Sequence, residues 1–230
     1  MENRVIPLTK MRRIVGDRMC ASLAQTAQYT LTREIDVDAL MDYIHEKRSS
    51  KAPVKLMPVL IKVIASLLTE HERLNSSIKD DNVVYHDRVN VGVAVALKDD
   101  GILVPVVFNA DTRSVNEIME VYDDLIPRAK TGRLRSTEMS GGTFTISNLG
   151  MVGIDGFTPI VNYPEAAILG IGRINVRLYM DGGGALKQKK TIVFSLSTDH
   201  RLVDGYIGAL FLESLSSTIS DIGKLRAAVE

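Results

Sequence analysis

Apolar residues recur at Met11, Ile14, Val15, Met19 and Leu23, a spacing that predicts an amphipathic helix over 10–25. Thr9 stands where its N-cap belongs. Residues 29–37, YTLTREIDV, are rich in β-branched and aromatic types and predict a strand. Asp38 then opens a helix, DALMDYIHEKR. Residues 56–71 are apolar on most faces, which predicts a helix buried between a sheet and other elements. Strands are predicted at 82–87, 89–97 and 102–108, with a turn at KDDG, 98–101. Helical spacing returns over 114–130. GGTFTISNLG at 141–150 predicts a strand entered and left through glycines. Residues 166–176 and 191–199 are apolar and β-branched, and GGG at 182–184 marks the loop between them. Asp204 begins a last helix with Ile207, Leu210, Phe211, Leu215 and Ile219 on its apolar face. Strands and helices interleave without a low-complexity linker or internal repeat. The pattern implies one α/β domain over 1–230 with a mixed sheet.

Composition narrows the function. The chain has 230 residues, 45% of them hydrophobic, enough for a substantial core. Lys plus Arg is 28 and Asp plus Glu is 28. That zero balance argues against a general nucleic-acid binder, and KMRR at 10–13 reads as the solvated face of a helix. A single cysteine, Cys20, permits no disulfide within the chain and suits a reducing compartment. Its neighbours Met19 and Leu23 make packing its expected role. The stretch MENRVIPLTKMRR lacks the apolar core of a signal peptide. The longest apolar run, 56–68, contains Pro58 and Lys62 and is too short to span a bilayer. A cytoplasmic protein that binds neither membrane nor nucleic acid is expected.

Candidate chemistry concentrates at 195–205, SLSTDHRLVDG. His200 falls at a strand-to-helix corner, where rigid elements on both sides can present a side chain into a cleft. A neutral imidazole there can take a proton from a thiol or hydroxyl at physiological pH. Asp204 could orient the histidine, pair with an arginine, or act as a helix N-terminal acid favoured by the dipole. The other histidines, His45, His71 and His86, are scattered, so no metal site is expected. No G-x-S-x-G elbow supports a serine hydrolase. LGIGRI and DGGG match neither phosphate-loop nor dinucleotide fingerprints.

TDHRLVDG at 198–205 resembles the signature of the dihydrolipoamide acyltransferases, the catalytic cores of the 2-oxoacid dehydrogenase complexes. Further segments match in order: MRRIVGDRM at 11–19, VNVGVAVALKDDGILVPVV at 89–107, and GTFTISNLGMVGIDGFTPIVNYPEAAILGIGRI at 142–174. The resemblance covers nearly the whole chain. It implies a two-layer α/β fold like chloramphenicol acetyltransferase and trimers that build a larger shell. It also implies a channel between subunits, entered by coenzyme A from one end and a dihydrolipoyl arm from the other, with no metal.

Carried over onto this sequence, the resemblance makes His200 the base that deprotonates the attacking thiol. Ser147 becomes the hydroxyl that steadies the oxyanion, reaching the histidine of a neighbouring subunit. Asp204 is the motif aspartate. Leu103 and Val104, from their place in DGILVP, are expected to line the thiol channel. Two positions depart from the family: Tyr163 in VNYP, where a proline is common, and Tyr206 after the DG, where an alanine is common. The acetyl group is the expected cargo, from the GMVG segment at 150–153, and the resemblance leaves a 2-oxoacid or an acetoin dehydrogenase complex as its setting. The lipoyl and peripheral-subunit-binding domains of complete members have no counterpart in 1–230. The decarboxylase and dihydrolipoamide dehydrogenase of such a complex are the expected partners. Two rival readings are an acetyltransferase of the same fold with a hydroxyl acceptor, and a scaffold without turnover.

Overall fold

The computed structural model describes residues 3–48, 53–97 and 101–230. The elements, in chain order, are α1 (Lys10–Gln25), β1 (Gln28–Asp36), α2 (Asp38–Arg48), α3 (Leu56–Glu70), β2 (Ser76–Lys79), β3 (Asn82–Tyr85), β4 (Val91–Ala96), β5 (Ile102–Leu103), β6 (Val106–Val107), α4 (Val115–Lys130), β7 (Phe144–Asn148), β8 (Ala167–Met180), β9 (Leu186–Asp199), α5 (Gly205–Ile219) and α6 (Ile222–Val229). The main sheet runs β1-β9-β8-β7-β4-β5, with β6 also on β4. β8 is antiparallel to β9 and parallel to β7, and β7 is parallel to β4. β2 and β3 form a separate hairpin. The expected mixed-sheet α/β architecture is therefore present.

Alternation along the strands sorts the sheet into two unlike faces. One face carries Ile35, Ile192, Phe194, Leu196, Leu169, Ile171, Phe144, Ile146 and Val91, all buried in the cluster formed with α2 to α6. α3 sits at the centre of that layer, with ten of its fifteen residues buried. The opposite face carries mostly small and polar residues in register: Thr30, Ser197, Ile168, Thr145 and Gly92 in one row, Thr32, Ser195, Gly170, Ser147 and Ala94 in the next. Part of it is covered by the segment after β7, where Phe157 lies against Gly170.

Local signals set the helix starts. Thr9 Oγ1 accepts from Arg12 N at 3.1 Å. Ser114 and Glu117 cap α4 reciprocally. Asp204 caps α5 by accepting from Ile207 N at 3.1 Å.

The structure corrects several expectations. The apolar face expected for 10–25 is not core: Met11 is 37% exposed, Ile14 42% and Leu23 54%. Only Ser22 of α1 is buried. Cys20 is exposed rather than packed, because none of the described residues covers that side of the helix. Leu210 is likewise 42% exposed on α5. The segment 102–108 divides into β5 and β6 around Val104–Pro105, since a proline cannot donate to the ladder. β3 pairs with β2, a strand the pattern did not announce. β8 and β9 each run 14 residues, farther than 166–176 and 191–199. Their outer halves form a two-stranded ribbon past the sheet, with Val176, Leu178, Met180 and Leu186 60–67% exposed. Of the turn expected at 98–101, residues 98–100 lie outside the described residues; Gly101 has φ +102°.

Candidate active site

The corner at His200 is built mainly by Asp199. Its carboxylate is 3% exposed. Oδ1 accepts from Ala27 N at 3.2 Å and from Arg201 N at 3.1 Å. Oδ2 accepts from Arg201 Nη2 at 2.6 Å. Burial alone would raise the Asp199 pKa; the hydrogen bonds and charge of Arg201, with the Ala27 amide, outweigh it and hold the carboxyl below its ordinary value. The His200 amide donates to Ala27 O at 2.9 Å. Leu202 and Val203 anchor the far side of the corner in the core.

This framework leaves the His200 side chain exposed. Its ring lies against Tyr29 of β1, centroids 5.0 Å apart and planes tilted by 55°. Burial raises the phenol pKa of Tyr29, and the Asp204 carboxylate adds to that effect. The hydroxyls of Tyr29, Thr198 and Ser195 are buried, and among the described residues none has a partner of hydrogen-bonding geometry. Asp204 itself is exposed and acts as the N-cap of α5. The arginine pairing considered for Asp204 is made at this corner by Asp199 instead. Tyr206, 74% exposed, follows on the first turn of α5.

Ser147 sits on β7 between Ala94 and Gly170, half-buried on the face away from the helices. The next residue, Asn148, turns to the other face, where its amide Nδ2 lies 3.2 Å from Met57 Sδ. Asn148 Oδ1 accepts from Gly150 N at 2.8 Å and closes the turn after the strand. Gly150 has to be glycine because its Cα packs directly on the backbone of Gly172, and a Cβ would collide with the Gly172 carbonyl.

One chain does not bring Ser147 and His200 together. Ser147 is in register with Gly170, and Gly170 with Ser195. His200 lies five residues beyond Ser195 and two strands across from Ser147. At roughly 3.3 Å per residue and roughly 4.8 Å per strand, the separation is on the order of 19 Å.

Leu103 pairs with Val95 at the sheet edge. Val104 lines a cavity of about 310 Å³ with Arg18, Asn162, Tyr163 and Glu165. Sequence reasoning missed Tyr29, Asp199 and Glu165. A tyrosine at a strand start and an acid directly before the histidine carried a weak signal. Glu165 carried none. Among the described residues, no helix is long and apolar enough to cross a membrane.

A sheet layered on one side by helices, with a histidine presented at the end of the long strand β9, is the fold of chloramphenicol acetyltransferase. Chloramphenicol acetyltransferase superposes with a TM-score of 0.55 at 14% identity, over 93% of this chain and 98% of that one. Within that fold the chain belongs to the 2-oxoacid dehydrogenases acyltransferase (catalytic domain) family, whose model matches residues 1–227. The dihydrolipoyllysine-residue acetyltransferase component of the pyruvate dehydrogenase complex from Staphylococcus aureus is 38% identical over 206 residues, 86% of this chain and 47% of that protein. The chain thus spans about half the length of the curated relatives it matches. The dihydrolipoamide acetyltransferase of Azotobacter vinelandii was solved to establish the role of a serine, a histidine and an asparagine in its catalytic mechanism. It superposes with a TM-score of 0.91 at 30% identity, over 98% of this chain and 94% of that one. The cubic core of a pyruvate dehydrogenase multienzyme complex matches with the same values.

Proposed function

We propose that this chain is an acyltransferase domain that moves an acetyl group between a dihydrolipoyl thiol and coenzyme A, with each active site completed by two copies of the chain. His200 of one copy is the base and Ser147 of its neighbour is the oxyanion donor. The observation that carries this reading is the sheet register. It holds His200 and Ser147 on the order of 19 Å apart within one chain, while both remain accessible from outside it. The Azotobacter enzyme, with a serine and a histidine in its mechanism, supports the pair; its asparagine stands four residues after the histidine, as Asp204 does here.

The chemistry follows from these groups. A thiol with a pKa of about 8.5 is mostly protonated at neutral pH. The exposed His200 imidazole removes its proton as the sulfur attacks the thioester carbonyl. Ser147 Oγ donates to the oxygen that gains charge, and the proton on His200 returns to the leaving thiol. Thiol-to-thiol exchange of a thioester is nearly balanced, so no further energy source is required. Asp199, Arg201 and Ala27 hold the imidazole, and Tyr29 limits its rotation. Leu103 and Val104 border the path of the thiol.

Self-association is supported by apolar surface that one chain leaves open. Val5, Ile6 and Leu8 are 64–89% exposed, and the exposed face of α1 and the β8–β9 ribbon add to it. A trimer that builds a larger core fits the cubic assembly of the relative. The decarboxylase and dihydrolipoamide dehydrogenase of a cytoplasmic 2-oxoacid dehydrogenase complex are the partners this role requires.

The test is complementation by mixing. His200→Ala and Ser147→Ala chains are each assayed for acetyl transfer from acetyl-coenzyme A to dihydrolipoamide, with chloramphenicol as a control acceptor. They are then unfolded, mixed in equal amounts and refolded together. Both single variants are expected to be inactive, and the mixture to regain activity at about one quarter of its interfaces. No recovery in a mixture that assembles normally refutes the shared site. Transfer to chloramphenicol in place of dihydrolipoamide refutes the thiol acceptor.

A further inference from the structure

Among the described residues, Glu165 is the one carboxylate buried without a cation. It is 5% exposed and immediately precedes β8. Oε2 accepts from Thr145 Oγ1 at 2.6 Å, and Oε1 accepts from Asn162 Nδ2 at 2.8 Å. Asn162 Nδ2 also reaches Thr145 Oγ1 at 3.3 Å. The backbone closes in behind, since a Cβ on Gly142 would sit 3.0 Å from Oε1. Among the described residues no Lys, Arg or His side chain forms an ion pair with it. The titratable groups that share its cavity are Arg18 of α1 and Tyr163 of its own loop; β7 and residues 139–142 contribute none.

A carboxyl buried with one hydroxyl and one amide for partners is stable as the neutral acid. Its O–H can donate to Thr145 Oγ1 while its carbonyl oxygen accepts from Asn162. Thr145 is two residues before Ser147 on β7, so the two side chains leave the same face of the strand. Asn162 belongs to the 161–164 loop that walls the cavity. The carboxyl is therefore the link between the strand bearing the oxyanion donor and the wall beside it.

We propose that Glu165 is a positioning residue for acyl transfer: as a neutral acid it ties β7 to the 161–164 loop through Thr145 and Asn162 and so fixes the direction of the Ser147 hydroxyl. This rests on the acyltransferase reading above. Burial pushes its pKa up to about 8, against the lowering effect of the two hydrogen bonds. Ionisation then breaks the O–H donation and places a negative charge near the developing oxyanion. At about 10 Å and an effective dielectric constant of about 20, that charge slows transfer on the order of 10-fold.

Glu165→Gln is the test, because the amide reproduces the donor and acceptor of the neutral acid and cannot ionise. Acetyl transfer to dihydrolipoamide is measured for both proteins from pH 6 to 10, and the ratio of their kcat values is read. The thiol substrates ionise equally for both and cancel. The ratio is expected to stay within about 2-fold below pH 7 and to rise about 10-fold in favour of Glu165→Gln across pH 8. Thermal unfolding supplies a reading independent of activity. A folded-state pKa raised above the unfolded one contributes stability at low pH that is lost as pH rises toward 8. The wild-type Tm should therefore fall relative to that of Glu165→Gln between about pH 5 and pH 8 and run parallel above it. An infrared band of a protonated carboxyl, present at pH 6 and missing in Glu165→Gln, locates the proton. Parallel kcat profiles in two active proteins overturn the proposal and leave the acyltransferase reading intact. A wild type inactive toward every thiol acceptor overturns both.

Discussion

Asp199→Ala tests the claim that a buried carboxylate, rather than the motif aspartate, holds the corner that presents His200. The substitution removes the acceptor for Ala27 N, Arg201 N and the Arg201 guanidinium together. The guanidinium is 44% exposed and returns to water, so its share is small. The two part-buried amides lose a charged acceptor, and the expected destabilisation is about 3 kcal/mol. For a chain of this length that corresponds to a fall in Tm of roughly 6–12 °C. The kinetic effect is expected to be larger than the thermal one suggests, because His200 is the next residue and shares Ala27 as its backbone anchor. A displacement of about 1 Å at such a position costs on the order of 100-fold in kcat/KM. Thermal unfolding and acetyl transfer at pH 7 measure the two effects. The sign of the pH dependence adds a third check. The folded-state pKa of Asp199 is depressed, so its contribution is present above the ordinary carboxylate range and is lost as pH falls through the folded value. The gap in Tm should be constant near neutrality and narrow only below about pH 4. A variant with wild-type Tm and kcat/KM within twofold would refute the reasoning.

His200→Ala should lower kcat by roughly 10²- to 10⁴-fold with Tm nearly unchanged, since the ring is exposed. Ser147→Ala should cost roughly 10²- to 10³-fold in kcat with little change in KM, as expected of a donor used only in the transition state; an equal rise in KM would mark a binding role instead. Gly172→Ala forces a Cβ onto the Asp155 carbonyl and should destabilise by about 3 kcal/mol, read as a lost or weakened unfolding transition.

The strands and helices were legible because their periods are strong. Phe144, Ile146 and the intervening Thr145 and Ser147 alternate as a strand should, and Asp204 is a helix cap by residue type alone. His200 was found because its neighbours on both sides are rigid elements. Tyr29 was not, because it meets His200 through a pairing of strands separated by almost the whole chain. Glu165 reads in sequence as an ordinary surface acid before an apolar strand. Its burial depends on Thr145 of a different strand as well as on nearby Asn162, and no local pattern encodes the distant partner. The helical face of Met11, Ile14 and Leu23 shows the converse. Periodicity reports that a face is apolar and says nothing about whether this chain or another covers it. The same holds for Cys20.

The gap between Ser147 and His200 on the sheet has a genetic corollary. On the proposed shared site, each chain lends its base to one neighbour and its hydroxyl to another, and so belongs to two sites. An allele lacking only the base still completes a site beside it, and its harm in a mixed population scales with dose. An allele lacking both groups spoils the sites on either side and is the more dominant of the two. Two alleles with different single defects can support growth together where neither does alone, with no normal copy in the cell.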